Sequence, residues 1–313
     1  MNIDQALQEV DKLLKQVVTS DVDVLREASQ HILTGGGKRY RPRLTLLAYL
    51  AAGGTDLMQA VPVAAAVELV HTATLVHDDI NDHGSLRRGR PTVNAVYGRT
   101  LALLTGDFLF TKVYELMAPF KELNPEFAAA TVALVEGETL QAAAAKNNTL
   151  DRETYGRIIA KKTAVLFAMA AKVGGMIAGA READADALYN YGFNAGLAFQ
   201  IVDDILDIIA DSEKLGKTAG LDISQGRGLV TALAHTTNGH TTAGGAPVAV
   251  IEAEADPMDA FKQRMLSGGY IEEGRKQARD LADMAKQTLE SFPASPAIAE
   301  LSAFADSCVE RDH

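Results

Sequence analysis

Two acidic clusters with the same D-D-x-x-D spacing constrain this chain most, because each lies in an apolar segment with a helical pattern. The first and last acids of such a cluster lie one helical turn apart on the same face. One cluster alone is common on a solvated helix face. Two identical clusters among apolar neighbours indicate a function, because unpaired carboxylates are costly to bury. The clusters are Asp78, Asp79 and Asp82, and Asp203, Asp204 and Asp207.

Arginines follow the first acidic cluster: Arg87, Arg88 and Arg90 lie in LRRGRPT. Their guanidinium groups suit bidentate contacts with phosphate oxygens. Closely spaced carboxylates repel one another, and a hard divalent cation such as Mg²⁺, which prefers oxygen ligands, would neutralise them. Together the acids and arginines predict a metal-bridged diphosphate site. His77 and His83 flank the acids, but zinc is disfavoured because hard oxygen ligands dominate.

A second basic segment, GGGKRYRP at residues 35–42, carries Lys38, Arg39 and Arg41 after three glycines. It is not a P-loop, because the G-x-x-x-x-G-K-[ST] spacing is absent and an arginine follows the lysine. Glycines and cations at a helix start can still bring backbone N–H groups and charge to a phosphate. From these residues alone, a solvated basic turn is an equal alternative.

Helical periodicity dominates the chain, beginning with an apolar stripe formed by Ile3, Leu7, Val10, Leu14 and Val17. No strand pattern is found before residue 245, and residues 236–247, rich in Thr and Gly, predict a flexible loop. The pattern therefore predicts a single all-α domain over residues 1–313. Helices are predicted over 3–17, about 22–33, from 42, 62–82, 101–118, 125–146, 152–177, 183–210, from 257, 271–291 and after 293–296.

Composition excludes several classes of protein. With 41 acidic and 30 basic residues, the formal net charge of −11 argues against nucleic-acid binding and leaves diphosphate binding to local basic clusters and metal. The start MNIDQALQEV lacks the basic residues of a secretory signal, and no apolar run approaches the ~18 residues of a membrane span. The single cysteine, Cys308, excludes an internal disulfide framework. We expect a soluble, cytoplasmic protein with Cys308 in its core.

Eight motifs occur in order along the chain: GGGKRYRP, HTATLVHDDIND, LRRGRPT, GDFLF, EGETLQ, KKTAVLF, GLAFQIVDDILDI and LGK. Taken together, they resemble those of trans-type isoprenyl diphosphate synthases, the polyprenyl synthetase family. The resemblance implies a single-domain helical bundle of the isoprenoid synthase type with a central substrate cavity. It also implies a Mg²⁺-dependent enzyme that joins isopentenyl diphosphate head-to-tail (1'-4) to an allylic diphosphate, giving an all-trans polyprenyl diphosphate.

The same resemblance implies the cofactor and the partners. The cofactor would be Mg²⁺, three ions in each active site, or Mn²⁺ in its place. The allylic substrate would be dimethylallyl, geranyl or farnesyl diphosphate. A homodimer is implied, with no nucleic-acid partner and at most transient membrane contact when a hydrophobic product leaves.

Residue roles follow from the resemblance where the motifs match. The six aspartates correspond to metal ligands, with Asp204 and Asp207 partly outside direct coordination, and catalytic roles are expected for Asp78, Asp79, Asp82, Lys162, Asp203, Asp204 and Lys217. The positions that hold isopentenyl diphosphate are matched by Lys38, Arg41, His71 and Arg88. Those that hold the allylic diphosphate are matched by Arg87, Lys162 and Lys217. Polar groups near the reacting carbon are matched by Thr163 and Gln200.

Product length is expected to depend on small residues N-terminal to Asp78 in its helix. The residue five positions earlier lies about 7.5 Å further back. In the family, a bulky aromatic side chain there stops chain growth early, whereas this chain has Ala73 and Thr74, with Val70 and Ala66 behind them. We therefore expect a product longer than geranylgeranyl diphosphate, of the octaprenyl or solanesyl type. Geranylgeranyl or farnesyl diphosphate synthase is the alternative.

Three other classes remain open from the sequence. A class I terpene cyclase would not need a second diphosphate site at Lys38, Arg41 and His71. A metal phosphohydrolase would leave the second acidic cluster without a role. A non-catalytic partner subunit usually has eroded acids, and both clusters here are intact.

One segment departs from the family pattern after Asp222. There the family usually has a basic residue, a threonine and a Leu-Pro pair, whereas this chain reads GRGLVTAL, with Arg227 in the basic position and no proline. The change puts the local helix geometry in doubt but not the metal chemistry.

Overall fold

The computed structural model describes residues 1–147, 151–209 and 269–311. The described part is a helical bundle, which confirms the predicted all-α class. Its helices are α1 Ile3–Val17, α2 Asp23–Leu33, α3 Tyr40–Ala51, α4 Val61–Asn81, α5 Val93–Tyr97, α6 Arg99–Met117, α7 Asn124–Asn147, α8 Arg152–Ile159, α9 Val165–Ile177, α10 Glu182–Ile209, α11 Tyr270–Thr288 and α12 Pro296–Val309. Short 3₁₀ turns cover Leu57–Gln59, Lys121–Leu123 and Leu289–Ser291, and a π-helical turn, Ala160–Ala164, joins α8 to α9.

Local sequence signals explain most helix ends. α1 begins with a capping box, in which the Asn2 and Gln5 side chains each accept a hydrogen bond from the backbone N–H of the other. Pro62 lies in the first turn of α4, where its missing N–H leaves no helical bond unmade. α3 begins two residues before Pro42, because Arg39, in the left-handed region at φ 50°, occupies the N-cap position.

The helix α4 is the centre of the bundle. It packs against α1, α3, α6 and α9, and it is buried on nearly all sides. The apolar residues that precede the acids in the sequence thus form the core, and the helix delivers the first acidic cluster at its C-terminal end. Asp82 follows as the C-cap residue.

The second acidic cluster lies towards the C-terminal end of α10, which packs against α9, α11 and α12. Close contact between α9 and α10 depends on Gly192, where a Cβ atom would lie 2.4 Å from the Phe167 carbonyl oxygen. A smaller apolar cluster beside this end of α10 includes Tyr155, Ile201 and Ile271. The two acidic clusters are therefore carried by well-packed helices rather than loops.

Several sequence predictions need correction. The helix predicted over 152–177 is interrupted by the π-helical turn, and a two-residue antiparallel hairpin, β1 Leu86–Arg87 and β2 Arg90–Pro91, occurs where no strand was expected. Turn geometry explains the hairpin, because Arg88 and Gly89 between its strands both have positive φ. The predicted loop at 236–247 and the helix from Pro257 lie outside the described residues.

Two further observations concern the described residues. Cys308 is fully buried in the core, as predicted. None of the helices that the structure describes is both long and apolar enough to cross a membrane.

Candidate active site

A cavity of about 900 Å³ is lined by the turn before α3, the hairpin, the helices α3, α4, α6, α7 and α10, the π-helical turn and Arg311. Its size is typical of small-molecule sites. Charged residues and apolar residues both contribute to its wall. The charged set is Lys38, Arg39, Arg41, Glu68, Asp78, Arg87, Arg88, Glu138, Lys162, Asp203 and Arg311, and the apolar set includes Leu75, Phe110, Leu134, Val135 and Phe199.

The first acidic cluster presents one of its carboxylates to the cavity. Asp78 lines the wall and is mostly buried, and Lys162 Nζ lies 3.9 Å from its Oδ2. Burial raises the pKa of Asp78 to about 7; the positive charge of Lys162 opposes this rise, and Glu138 adds to it. Near neutral pH, a nearby cation would therefore favour its ionised form.

The other two acids of the first cluster do not line the cavity. Asp79 is buried and accepts hydrogen bonds from Arg87, whose Nε and Nη2 both lie 2.9 Å from Oδ1. Burial raises the pKa of Asp79, and Arg87 opposes that shift. Asp82 is part-buried at the end of α4. Asp79 thus holds in place Arg87, the residue immediately before the hairpin turn.

Lys162 is carried by the π-helical turn beside α7. Its ammonium group forms an ion pair with Glu138 and is drawn towards Asp78. Gly137 allows this close approach, because a Cβ atom there would lie 2.9 Å from the Lys162 backbone nitrogen. Burial lowers the pKa of Lys162, but Asp78 and Glu138 together raise it above its usual value, so the ammonium stays charged.

The second acidic cluster also presents one carboxylate to the cavity. Asp203 is exposed and lines the wall, and Arg311 Nη1 lies 3.2 Å from its Oδ1. Asp204 is buried and accepts hydrogen bonds from Tyr155 at 2.6 Å and Gln200 at 2.8 Å. Asp207 is part-buried one turn further along α10 and does not line the cavity. Of the six clustered aspartates, Asp78 and Asp203 are therefore the two that the fold brings to the wall of one cavity.

Most of the predicted phosphate-binding residues also reach this cavity. Lys38, Arg41, His71, Arg87, Arg88 and Lys162 all line it, as do Thr163 and Gln200. Lys217 lies outside the described residues.

Arg41 is the most unusual of these cations. Its Nε atom is buried and has no hydrogen-bond partner among the described residues. Burial lowers the pKa of Arg41 to about 10, while Glu68 opposes the shift and Arg88 adds to it. The guanidinium lies 4.7 Å above the Phe167 ring. Burial together with Arg41 and Arg88 also lowers the pKa of His71 well below its usual value, so His71 is neutral at pH 7.

Arg39 and Glu68 hold the basic segment in place. Arg39 forms ion pairs with Glu68 at 2.7 Å and with Asp11 of α1 at 2.8 Å. Glu68 is nearly fully buried on α4, so its charge offsets part of the repulsion among the arginines. Arg88 donates a hydrogen bond to the Gly36 carbonyl, which joins the hairpin to the glycine-rich turn.

Sequence reasoning missed several cavity residues. Arg311 stacks over the Phe199 ring at 3.8 Å and donates to the Phe199 carbonyl at 2.7 Å. Phe110 lines the cavity from α6. Glu138 belongs to the EGETLQ motif and could have been selected as an acid in an otherwise apolar segment. Arg311 lies 108 positions after Asp203, the acid it contacts, and no spacing rule indicates such a contact.

The predicted chain-length residues divide into two groups. Thr74 lines the cavity. Ala73, Val70 and Ala66 are fully buried in the core and are not among the cavity-lining residues. Their influence on product length stays a prediction.

Comparison with known proteins decides the family. The polyprenyl synthetase family model matches residues 22–244. The chain belongs to this family. Octaprenyl diphosphate synthase of Escherichia coli K12 is 33% identical over 98% of this chain and 96% of that protein. Geranylgeranyl pyrophosphate synthase of Geoglobus acetivorans is also 33% identical, with the same coverage of each chain.

The fold of solved family members agrees with this assignment. A Caulobacter crescentus polyprenyl synthase, solved with calcium and isoprenyl diphosphate, has a TM-score of 0.88 and 34% identity, covering 99% of this chain and 96% of that one. The predicted resemblance, the isoprenoid synthase bundle and the assignment as a prenyltransferase are thus confirmed. Because polyprenyl synthetase members at equal identity make different products, similarity leaves the product length open.

Proposed function

We propose that this polyprenyl synthetase condenses isopentenyl diphosphate with an allylic diphosphate and repeats the step until the product exceeds geranylgeranyl diphosphate. One observation carries the proposal: a single cavity contains Asp78 and Asp203 from two helices, clustered cations and an apolar wall. Carboxylates suit a divalent metal and arginines suit diphosphate. The apolar wall suits a hydrocarbon chain.

A divalent metal belongs to this proposal, and the residues present fit it. In the described part of the chain, no three acidic, histidine or cysteine side chains converge into a metal site by themselves. Mg²⁺ commonly binds to one or two carboxylates together with substrate phosphates, which agrees with Asp78 and Asp203 facing one cavity. The calcium in the Caulobacter relative supports the same idea. When bound, Mg²⁺, or Mn²⁺ in its place, would neutralise charge on the diphosphate and promote its departure. We keep three ions in the proposal, with Asp78, Asp79, Asp82 and Asp203 as the proposed direct ligands and with Asp204 and Asp207 partly outside direct coordination.

In this proposal, one set of cations binds the allylic diphosphate and another set binds isopentenyl diphosphate. Arg87 and Lys162 lie beside the first acidic cluster and hold the allylic diphosphate, with Lys217 as a further proposed contact. The four other predicted residues hold isopentenyl diphosphate, and Arg41, whose Nε has no partner in the described part of the chain, supplies a donor for it. This set is Lys38, Arg41, His71 and Arg88.

The reaction then follows from charge and exclusion of water. The allylic C–O bond breaks with its electron pair leaving on the diphosphate, where Lys162 stabilises the negative charge. The apolar wall keeps water from the allylic cation. The double bond of isopentenyl diphosphate attacks that cation, and a proton then passes to the departing diphosphate as the new alkene forms. Thr163 and Gln200 both line the cavity, and the Thr163 hydroxyl donates to the Gln200 amide oxygen, which supports a role beside the reacting carbon.

Product length depends, in this proposal, on the apolar wall. Thr74 is the small residue of the predicted chain-length set that lines the cavity on α4, and Phe110 on α6 is the large aromatic side chain among the cavity-lining residues of α4, α6 and α7. An aromatic ring at this place shortens the space for a growing chain. Phe110 therefore supplies the barrier on a neighbouring helix that the sequence of α4 does not reveal.

Replacing Phe110 by Ala is expected to lengthen the product by about one five-carbon unit or more, because the removed ring leaves space in a packed wall. Mass spectrometry of the products made from farnesyl diphosphate measures the change. Phe108→Ala is the matched control, since Phe108 is half-buried on the same helix and does not line the cavity. An unchanged product ladder from the Phe110 variant would exclude this residue as the barrier.

We also propose a homodimer. Leu103, Leu104 and Tyr114 on α6 and Val132 and Val135 on α7 are exposed by 45–76% of their surface. Exposed apolar patches of this kind mark interaction sites. Val135 also lines the cavity, so a second copy on this face would cover part of the substrate wall. Light scattering is expected to give twice the 33.3 kDa chain mass; a monomer in the active protein would contradict the proposal.

The first experiment incubates the purified protein with Mg²⁺, isopentenyl diphosphate and farnesyl diphosphate and sizes the products. A ladder ending beyond geranylgeranyl diphosphate is expected, with membrane contact limited to product release. A stop at geranylgeranyl diphosphate would keep the chemistry and overturn the proposed length. Release of phosphate or of a hydrocarbon without elongation would favour a phosphohydrolase or a terpene cyclase, and inactivity with both acidic clusters intact would favour a non-catalytic subunit.

A further inference from the structure

Four side chains form a continuous chain of hydrogen bonds behind the cavity wall. Tyr155 Oη donates to Asp204 Oδ2 at 2.6 Å, and Gln200 Nε2 donates to Asp204 Oδ1 at 2.8 Å. Thr163 Oγ1 donates to Gln200 Oε1 at 2.7 Å. These hydrogen bonds thereby connect α8, α10 and the π-helical turn.

The four residues occupy two layers. Tyr155 and Asp204 are 4% and 6% exposed, and neither lines the cavity. Gln200 and Thr163 form part of the cavity wall. Because Tyr155 does not line the cavity, any effect that it has on the reaction is transmitted through Asp204 to Gln200 and Thr163.

The Asp204 carboxylate fixes which atoms donate and which accept along this series of hydrogen bonds. An ionised carboxylate only accepts, so the Gln200 atom that faces Asp204 must be its NH₂ group. The amide oxygen of Gln200 is then turned towards Thr163, whose hydroxyl donates to it. Without the carboxylate, the amide could rotate and exchange its oxygen for its nitrogen at the wall. Asp204 thus fixes the orientation of the Gln200 amide, and with it whether the amide oxygen or the NH₂ group faces Thr163 in the cavity wall.

We infer that Tyr155 is a positioning residue for the reaction, and that Asp204 acts with it to orient Gln200 rather than to ligate metal directly. The inference rests on the proposed function. Positive charge develops on the allylic carbon, and fixed oxygen dipoles near it stabilise that charge without reorganisation. Coordination of a metal by either Asp204 oxygen would compete with one of its two hydrogen bonds.

Tyr155→Phe tests the inference, because it removes one hydroxyl and keeps the ring, which belongs to the apolar cluster that packs α8 against α10. We expect kcat to fall about tenfold, as for outer partners of functional groups. KM for both diphosphates should stay within about twofold, because the diphosphate-binding cations are untouched. Mn²⁺ affinity, measured by electron paramagnetic resonance, should be unchanged.

Tyr191→Phe is the matched control. Tyr191 is also buried, and its hydroxyl donates at 2.6 Å to the Leu301 carbonyl, outside the cavity wall. Both variants lose one buried hydrogen bond and should show a similar loss in melting temperature. Only the Tyr155 variant should lose kcat. A double-mutant cycle with Gln200→Leu adds a second test, because Tyr155→Phe should lower kcat little further in that background.

Each outcome separates the possibilities. Equal kcat for Tyr155→Phe and wild type would overturn the inference and leave the proposed function standing. A tenfold loss of Mn²⁺ affinity would also overturn it, because Tyr155 would then act through a metal ligand. If Tyr155→Phe lowered kcat by the same factor of about ten in the Gln200→Leu background, Gln200 would not transmit the effect and the inference would be overturned. Inactive wild-type protein would overturn the proposed function and this inference together.

Discussion

Asp78→Asn is expected to lower kcat by roughly a thousandfold, which corresponds to about 4 kcal/mol of lost transition-state stabilisation. Of the three acids in the first cluster, Asp78 is the one that lines the cavity. Asparagine keeps the size of the side chain and removes the negative charge. The Lys162 ammonium would keep Glu138 as its partner, so the main loss is the carboxylate proposed to bind metal.

Steady-state kinetics at saturating Mg²⁺, together with Mn²⁺ binding, measures this effect. Asp186→Asn is the control, because Asp186 lies on α10 and pairs with Lys172 at 3.1 Å, outside the cavity lining. It should keep kcat within about twofold, as is usual for an exposed ion pair. Persistent Mg²⁺-dependent activity after loss of both Asp78 and Asp79 would contradict the mechanism itself.

The fold was largely predictable because long apolar runs with helical period have few alternatives. The predicted range 62–82 became α4, Val61–Asn81, and the range 183–210 became α10, Glu182–Ile209. The start of α4 follows from a local signal, Pro62 in its first turn. The π-helical turn was not predictable, because its residues, AKKTA, have ordinary helix propensity. Its position depends on packing against α7 at Gly137.

The site was predictable in its residue types but less so in its geometry. Sequence spacing treats the three acids of each cluster alike, yet the fold turns one from each cluster to the cavity. Asp79 is engaged by Arg87, and Asp204 by Tyr155, through contacts that span 8 and 49 positions. Such partners depend on how helices pack, and a single sequence does not encode that as a spacing. Arg311 is the extreme case, since it meets Asp203 across 108 positions.

Arg41→Met is expected to raise KM for isopentenyl diphosphate roughly 100-fold, equivalent to about 3 kcal/mol of binding free energy. Arg41 has a buried Nε to which no residue that the structure describes offers a hydrogen bond, and a buried donor of this kind is costly unless a ligand satisfies it. Burial lowers its pKa to about 10, so the guanidinium is still charged at pH 7. A phosphate oxygen would satisfy both the charge and the donor.

Stability should respond to Arg41→Met in the opposite direction from binding, and this separates the proposed role from a structural one. Phe167 lies under the Arg41 guanidinium in the wild-type protein, and a methionine side chain can pack on the same ring. The variant no longer has a partly desolvated charge at this position. The melting temperature should therefore stay equal or rise while KM for isopentenyl diphosphate increases. Arg43→Met is the matched control, because Arg43 lies on the same helix and pairs with Asp4 of α1. Its KM should change by about twofold or less. An equal rise in KM for both diphosphates, or a marked loss of stability in the Arg41 variant, would contradict the assignment of Arg41 to isopentenyl diphosphate.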